Sequence, residues 1–221
     1  MKQDKDGFMQ IFHSPIIDRI RFMSDGTCTI YYQDGRILDF YVGCETVYNS
    51  QWGVALSLDG EKLVVSSWEN GLAAFCTRTG KKLWQYKRSR VTSVFSYSSY
   101  LIACRYGKAL LKISLDSGEV IKELKSSSIQ QMFEIDENHL FVDCIRGRHC
   151  ILTVAELECV KNYKTSVVNP MNCLSYCIQR VYLEDGQLFI EGFEDYPNRN
   201  YAESQQVTFC RMVDPEFYKT D

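Results

Sequence analysis

The sequence lacks several features that would assign it quickly to a class. No apolar run approaches the roughly 18 residues that a membrane-spanning helix requires. The N-terminal segment MKQDKDGFMQIFHS has no apolar core of the kind that a secretory signal needs. No stretch shows the apolar period or the capping residues of a helix. We therefore expect an all-β protein that is soluble and cytoplasmic.

An excess of basic residues is also missing. The chain carries 25 Lys and Arg against 28 Asp and Glu, which gives a net charge of −3. A surface for nucleic acid or for an anionic membrane would need the opposite balance, so we expect neither as a direct partner. A net charge of −3 is compatible with a basic protein as a partner.

Sequence motifs of catalysis are absent too, since the chain has no P-loop, GxGxxG, HExxH or GxSxG. A nucleophile and base formed by Cys150 and His139 is an alternative, but a strand cysteine and a turn histidine explain these residues more simply. Paired carboxylates across a central cavity, as in a glycosidase, are another alternative. The aspartates that could supply them lie at presumed turns, where turn formation is a sufficient role: Asp25, Asp59, Asp136 and Asp185.

The ten cysteines show no CxxC spacing and lie in apolar runs such as LIACRY and VTFCRM. Without a secretory signal, we expect reduced thiols that are buried as small hydrophobic side chains. A zinc site is a weaker alternative, built from Cys173 and Cys177 or from Cys144 and Cys150 beside His149. We expect no metal and no cofactor.

A short phrase recurs along the chain at nearly constant spacing. TRTGKKLWQYK begins at residue 77, LDSGEVIKELK at 115 and VAELECVKNYK at 154, which are intervals of 38 and 39 residues. Gly80 and Gly118 occupy the same position of the repeat, and Leu157 replaces them in the third copy. Each repeat contains four short alternating segments separated by turn signals such as Asp59-Gly60. Four antiparallel strands in about 40 residues are typical of a propeller blade.

The whole chain then predicts one β-propeller domain over residues 1–221. We expect five four-stranded blades at about 15–49, 50–88, 89–126, 127–165 and 166–214, with four or six blades as alternatives. The last blade is one strand short by this count, and we expect the N-terminal strand at 7–14 to complete it. Such a closure would pair edge strands that would otherwise be exposed.

The phrase TRTGKKLWQYK resembles the end of a repeat in the quinoprotein-like, or pyrroloquinoline-quinone-type, propellers, and LDSGEVIKELK and QDGRILDFYV resemble it more weakly. The resemblance implies the architecture and covers about half of the chain. It does not imply the quinone, because the chain lacks the adjacent cysteine pair that often covers that cofactor in the quinone enzymes. The Trp-Asp signature of the WD-repeat propellers is absent as well.

The candidate site is a surface. Loops between the second and third strands of propeller blades share one face, and aromatic and arginine side chains there favour protein binding. The long segment EDYPNRNY (194–201) exceeds what a hairpin needs. Trp68 and Tyr106 occupy equivalent repeat positions, so packing between blades is the alternative for them. The predicted protein-binding residues are Trp68, Glu69, Arg105, Tyr106, Arg146, Arg148, Asp195, Tyr196, Arg199 and Tyr201.

These observations favour a non-catalytic propeller that binds another protein. A concrete hypothesis is an inhibitor, such as a bacterial immunity protein that masks a toxin, which could be a basic nuclease. The alternatives are a small-molecule or carbohydrate-active enzyme with its site in the central cavity, and a metal-stabilised domain.

Overall fold

The computed structural model describes residues 2–3, 8–10, 14, 16–42, 53–144, 149–163, 174–197 and 204–217. In these ranges all regular structure is β-strand, arranged in five antiparallel sheets. The same ranges contain no helix long and apolar enough to cross a membrane. The all-β prediction is confirmed. The chain divides into two compact units, Met1–Ser127 and Ser128–Asp221, which we call the first and the second unit.

The first unit contains three sheets. Sheet 1 is formed by β1 (Lys2–Gln3), β2 (Phe8–Gln10), β3 (Ile17–Phe22), β4 (Thr27–Tyr32) and β5 (Ile37–Tyr41). Sheet 2 is formed by β6 (Val54–Leu56), β7 (Lys62–Ser67), β8 (Gly71–Cys76) and β9 (Lys82–Tyr86). Sheet 3 is formed by β10 (Val91–Ser96), β11 (Tyr100–Arg105), β12 (Ala109–Ser114) and β13 (Val120–Lys125).

The second unit contains two sheets. Sheet 4 is formed by β14 (Ile129–Glu134), β15 (His139–Cys144), β16 (His149–Thr153) and β17 (Cys159–Tyr163). Sheet 5 is formed by three strands that are longer than those of the other sheets: β18 (Ser175–Glu184), β19 (Gln187–Pro197) and β20 (Ser204–Asp214). Consecutive strands are neighbours in every sheet, as expected for a chain of hairpins and meanders.

The predicted closure by the N-terminal strand is wrong. Strand β2 pairs with β3 in sheet 1, with Phe8 opposite Arg21 and Gln10 opposite Arg19. The connection from Gln10 to Ile17 is short, and a local pairing pays less loop-closure entropy than one that spans the chain. Sheet 5 has three strands in the described part of the chain.

The central strands of sheets 2, 3 and 4 are buried on both faces. In β7, Leu63 and Val65 pack into a cluster with sheet 1, whereas Val64 packs into a cluster with sheet 3. Successive side chains of a strand point to opposite faces, so the run Leu-Val-Val supplies both clusters. Each such side chain contributes about 1.5–3 kcal/mol when fully buried. This two-sided burial explains why the repeat sequence shows continuous apolar runs.

The last strand of each of sheets 2, 3 and 4 lies at the sheet edge and is mostly exposed. Charged side chains on such edges oppose pairing with other chains. The turns that precede these strands share one geometry. The N–H groups of Gly80, Gly118 and Leu157 each donate to the carbonyl oxygen four residues earlier, at 2.8, 3.0 and 2.9 Å. Their φ angles are 69°, 74° and 50°.

In the first unit, each of the two glycine turns lies against an aromatic ring of the preceding sheet. A Cβ atom added to Gly80 would lie 2.5 Å from Cβ of Phe40, and one added to Gly118 would lie 2.6 Å from Cδ2 of Trp84. Trp84 also donates its indole N–H to the carbonyl oxygen of Leu115 at 2.9 Å. Glycine is therefore required here for both its backbone conformation and the space that it leaves.

In the second unit, sheets 4 and 5 meet through charged and polar side chains. The Lys161 ammonium lies 2.5 Å from Oδ2 of Asp214, and the Tyr163 hydroxyl donates to the same oxygen at 2.7 Å. Burial raises the pKa of Asp214, but the hydrogen bonds from Lys161 and Tyr163 outweigh it and hold the pKa below its usual range. Burial and the neighbouring carboxylate raise the pKa of Tyr163. Asp214 is therefore held ionised at the junction between sheets 4 and 5.

Candidate functional site: a basic aromatic cluster

Three backbone segments of the first unit meet at one end of sheets 2 and 3. They are the β7–β8 turn at 68–70, the β9–β10 linker at 87–90 and the β11–β12 turn at 106–108. Arg90 in the linker donates its backbone N–H to the carbonyl oxygen of Trp68 at 2.5 Å and accepts from the N–H of Tyr106 at 2.8 Å. The linker thus lies between the two turns and is fixed to both.

Local sequence explains how the linker approaches so closely. The Ser67 hydroxyl oxygen accepts the N–H groups of Glu69 and Asn70 at 3.3 and 3.2 Å, which closes the first turn. Gly71 follows with φ of 82°, and a Cβ atom there would lie 2.1 Å from the carbonyl oxygen of Tyr86. Only glycine leaves room for the backbone that leads into the linker.

The rings of Trp68 and Tyr106 contact each other across the two sheets. Their centroids lie 5.6 Å apart with an interplanar angle of 53°, a tilted arrangement that aromatic pairs favour. The Arg90 guanidinium carbon lies 6.0 Å from the Trp68 ring centroid. Both rings are half-buried. Trp68 and Tyr106 therefore pack against each other and also keep part of their surface in solvent.

Five cations lie in or next to the same backbone segments: Lys87, Arg88 and Arg90 in the linker, Arg105 at the end of β11, and Lys108 in the β11–β12 turn. Four of them have exposed side chains and Arg105 is half-buried. In the described ranges none of the five lies within 4.0 Å of a carboxylate, and Arg105 Nε donates to the Ser89 carbonyl oxygen at 3.4 Å. We call the following residues the basic aromatic cluster: Trp68, Lys87, Arg88, Arg90, Arg105, Tyr106 and Lys108.

Basic side chains elsewhere contrast with these. Arg36, Lys62 and Arg78 in the first unit pair with Asp34, Asp116 and Glu61. Lys161, Arg180 and Arg211 in the second unit pair with Asp214, Glu191 and Glu194. Lys81 and Lys82 also have no carboxylate within 4.0 Å in the described ranges, so the cluster is distinguished by five such cations in neighbouring segments beside two aromatic rings.

Sequence reasoning found part of this cluster. It predicted Trp68, Glu69, Arg105 and Tyr106, and the structure brings these four together in adjacent turns. It missed the linker cations and Lys108. The run Lys87-Arg88-Ser89-Arg90 between two strands was a usable signal, because three cations in four linker residues exceed what a connection requires.

The other predicted residues lie in the second unit of the chain. Arg146, Arg148, Arg199 and Tyr201 lie outside the described residues. Asp195 and Tyr196 were predicted in a long loop, and that prediction is wrong, since β19 continues to Pro197. Asp195 pairs with Gln206 and Tyr196 with Gln205 across to β20. The ladder extends because its backbone groups find partners on both strands.

Contacts within sheet 5 use the side chains of these two residues. The Ser175 hydroxyl donates to Asp195 Oδ2 at 2.5 Å, and the Tyr196 hydroxyl donates to Glu194 Oε2 at 2.7 Å. Arg211 holds both carboxylate oxygens of Glu194, one of them at 2.7 Å. Burial raises the pKa of Glu194, but Arg211 and Tyr196 outweigh it and lower the pKa below its usual range. These residues therefore stabilise the sheet.

The catalytic pair considered above is not assembled. His139 Nδ1 lies 3.0 and 3.1 Å from the two carboxylate oxygens of Asp136, and the same aspartate accepts the N–H of Asn138 at 2.7 Å. His139 is opposite Thr153 in the ladder, three residues along β16 from Cys150, which corresponds to about 10 Å. His139 and Asp136 close a turn and do not activate a thiol.

The aspartates considered for a glycosidase also serve turns. Asp25 Oδ1 accepts the N–H of Thr27 at 2.8 Å, and Asp59 Oδ1 accepts the N–H of Glu61 at 2.9 Å. Asp185 has a φ of 50° between β18 and β19, in the left-handed region that short hairpins require. The prediction of turn-forming aspartates is confirmed for these residues.

Of the residues considered for zinc, Cys173 lies outside the described residues, and the others do not form a metal centre within them. The eight described cysteines are free, and Cys159, Cys177 and Cys210 among them are exposed, so the expectation of buried thiols holds for part of the set. The hydrogen bond that the Cys150 thiol donates to Cys144, together with burial, raises the pKa of Cys150 far above its usual value. Within the described ranges no three His, Cys, Asp or Glu side chains are arranged to hold a metal ion.

A small cavity lies beside the β7–β8 turn. Its volume is about 20 Å³, and its lining includes Ser67, Asn70 and Gly71. That volume accommodates about one water molecule. It offers no room for a sugar or a cofactor.

Repeated antiparallel sheets of this construction define a class of fold, the β-propeller, and solved structures of that class resemble this chain. One is the crystal structure of BamB from Moraxella catarrhalis, a propeller of the pyrroloquinoline-quinone-like kind. It superposes with a TM-score of 0.63 at 12% sequence identity and covers 95% of this chain. This chain spans 65% of the length of that chain. At such identity the similarity shows the fold alone.

Comparison of sequences adds nothing further. No protein-family model matches the chain. No curated protein matches it either.

Proposed function

We propose that this chain is a non-catalytic, protein-binding propeller in which each of the five sheets is one blade of a single domain, acting in the cytoplasm. The observation that carries the proposal is the basic aromatic cluster, in which two contacting aromatic rings lie beside cations without carboxylate partners in the described ranges. Aromatic and arginine side chains dominate the energetics of protein interfaces. Uncompensated charge beside them costs little in water and becomes useful when a partner neutralises it.

A narrower form of the proposal is an inhibitor, such as an immunity protein that masks a bacterial toxin. Its support is indirect: a small propeller with a rigid binding face and no assembled catalytic centre in the described residues suits a blocking role. A basic toxin or nuclease would have to bind acidic surface of this chain and not the basic aromatic cluster.

The test uses the full chain as bait in extract from its native cells. We expect a partner captured in stoichiometric amount by the unmodified protein and lost by Tyr106→Ala. The matched control is Tyr41→Ala, because Tyr41 lies in the same unit with 61% of its surface exposed and outside the cluster. Circular dichroism of both variants checks that the sheets are retained.

Two outcomes would contradict the proposal. One is the absence of any stoichiometric partner. The other is a partner retained equally by Tyr106→Ala and by Tyr41→Ala, which would show that binding does not use this face.

A further inference from the structure

We propose that the basic aromatic cluster recognises a carboxylate-rich polypeptide segment of its partner. This inference rests on the protein-binding function proposed above and adds the chemistry of what is bound. The cluster brings five positive charges to one linker, the end of β11 and the β11–β12 turn of a single unit. Asp and Glu side chains are the protein groups that such a surface selects.

Charge balance shows how unusual the cluster is for this chain. The net charge is −3, so removing these five positive charges leaves −8 on all other residues. Near the cluster, Glu69 in the β7–β8 turn is exposed and is the acidic residue that belongs to the same three segments. A local excess of cations on an acidic protein attracts an acidic segment by short-range complementarity, not by overall charge.

The geometry favours carboxylates over a diffuse anion. Three of the five cations are arginines, whose planar guanidinium groups bind carboxylates through two parallel hydrogen bonds. Arg90 is fixed through its backbone to both turns, and it has a φ of 69°, a conformation that a residue with a side chain rarely adopts. Its side chain therefore starts from a held position, which lowers the entropy lost on binding.

The Trp68–Tyr106 ring pair favours a second feature in the bound acidic segment, an apolar side chain. The exposed parts of Trp68 and Tyr106 offer apolar surface beside the cations. An acidic segment with an aromatic or aliphatic side chain between its carboxylates would bury that surface and place its charges on the arginines. Apolar burial adds about 25 cal/mol for each Å² removed from water.

Nucleic acid fits the same surface less well. Its charge continues along the strand, so a bound polymer would extend beyond the cluster onto a chain whose remaining net charge is −8. At about 0.1 M salt the Debye length is about 10 Å. The acidic surface next to the cluster would therefore repel a nucleic-acid strand that extends over it. A short acidic peptide ends before it meets that surface.

The experiment measures binding of a fluorescein-labelled peptide of ten residues, with six Glu around a central Tyr, to the full chain by fluorescence anisotropy. Peptides with Gln or with Lys in place of Glu, and a single-stranded DNA oligomer of matched charge, serve as comparison probes. The test variant is Arg88→Gln with Lys108→Gln. The control variant is Lys81→Gln with Lys82→Gln, which removes the same charge from the same unit at residues outside the cluster.

We expect the Glu peptide to bind more tightly than the other probes and the test variant to weaken that binding by about tenfold, as two lost charge contacts predict. The control variant should weaken it less than twofold. Lys87→Glu, a single change at an exposed linker residue, gives a second measurement if the double variant folds poorly.

Three results would overturn the inference: tighter binding of the DNA than of the Glu peptide, equal weakening by both double variants, or no preference for the Glu peptide over the Gln peptide. The protein-binding function can survive each of them. A stoichiometric protein partner that is lost with Tyr106→Ala but unaffected by Arg88→Gln with Lys108→Gln would retain that function and refute the acidic segment.

Discussion

The junctions between sheets differ between the two units. In the first unit, aromatic rings lie against glycine turns: Phe40 against Gly80 and Trp84 against Gly118. In the second unit, Lys161 occupies the repeat position of Trp84, and it binds a buried carboxylate, Asp214. The same repeat position thus stabilises one junction by apolar packing and another by charge.

The contrast teaches that the repeat specifies strands and turns more strictly than it specifies the contacts between sheets. The turn before the edge strand keeps its hydrogen bond in all three copies, although Leu157 stands where the others have glycine. Apolar packing is insensitive to pH, whereas a buried ion pair depends on the ionisation of its carboxylate. The two units should therefore respond differently to the same perturbations.

The largest effect is expected from Gly118→Ala in the first unit. The new Cβ would lie 2.6 Å from Trp84 Cδ2, and alanine would have to adopt a φ of 74°. Strain of the left-handed backbone and overpacking together should cost about 3 kcal/mol of unfolding free energy. Urea unfolding followed by tryptophan fluorescence measures this loss, because all three tryptophans precede Ser128 in the sequence.

Gly35→Ala is the matched control for that variant. Gly35 has a φ of 85° but no atom within 4 Å of the added Cβ, so the backbone cost of about 1 kcal/mol should remain without the packing cost. Equal losses for both variants would show that the aromatic contact does not matter.

Acid should destabilise the second unit before the first. The pKa of Asp214 and that of Glu194 are both held below their unfolded values, so their stabilisation is present above about pH 4 and is lost as the pH falls through the lowered values. Loss of a charge-assisted hydrogen bond costs about 2 kcal/mol. Far-UV circular dichroism should therefore change at a higher pH than tryptophan fluorescence, which reports the first unit.

Two comparisons test whether the acid sensitivity comes from the buried carboxylates of the second unit. In the first unit, backbone N–H groups of Thr27 and Arg36 lower the pKa values of Asp25 and Asp34, but these carboxylates are exposed in turns, where solvent screens them. Tyr163→Phe should cost about 1 kcal/mol at neutral pH and should weaken the pH dependence, since the pKa of Asp214 loses one cause of its lowering. Coincident acid transitions by both probes would contradict the comparison.

The smallest expected effect is the difference between two variants of Leu157, where the second unit departs from the glycine of the repeat. Its φ is 50°, and its side chain is 3% exposed. Leu157→Ala and Leu157→Gly both lose the buried side chain, but only glycine relieves the left-handed backbone. We therefore expect Leu157→Gly to be more stable than Leu157→Ala by about 1 kcal/mol in urea unfolding followed by circular dichroism.

Val160 provides the control for that pair. It lies in edge strand β17 with 58% of its surface exposed. There alanine should be more stable than glycine, because glycine loses more backbone entropy in an ordinary strand. The same order at both positions would refute the role of the Leu157 backbone.

Much of the fold could be predicted from the repeat. Alternating segments, Asp-Gly turns and the positive φ of Gly80 and Gly118 follow from local rules, and the structure confirms them. The partner of the N-terminal strand could not be predicted in this way. A short strand with unpaired edges can satisfy its hydrogen bonds on any open sheet, and here proximity to β3 decided the choice.

The candidate site was predictable in part. Trp68 and Tyr106 stood out because they are aromatic residues in presumed loops between second and third strands, where such side chains favour protein binding. The linker cations did not, because nothing local indicates that Arg90 lies between those turns. Asp195 and Tyr196 were misplaced since Pro and Asn in their segment suggested a loop, whereas pairing with β20 continued the strand.

By itself the sequence determined the strands, their turns and the need to bury both faces of each sheet, because these depend on side-chain alternation and on backbone conformations that few residues tolerate. The tertiary structure alone decided which sheet each edge strand joined and which charges stood without partners. The first outcome depended on which open sheet edge lay nearest along the chain, and the second on distances between residues far apart in it; side-chain alternation carries no information about either.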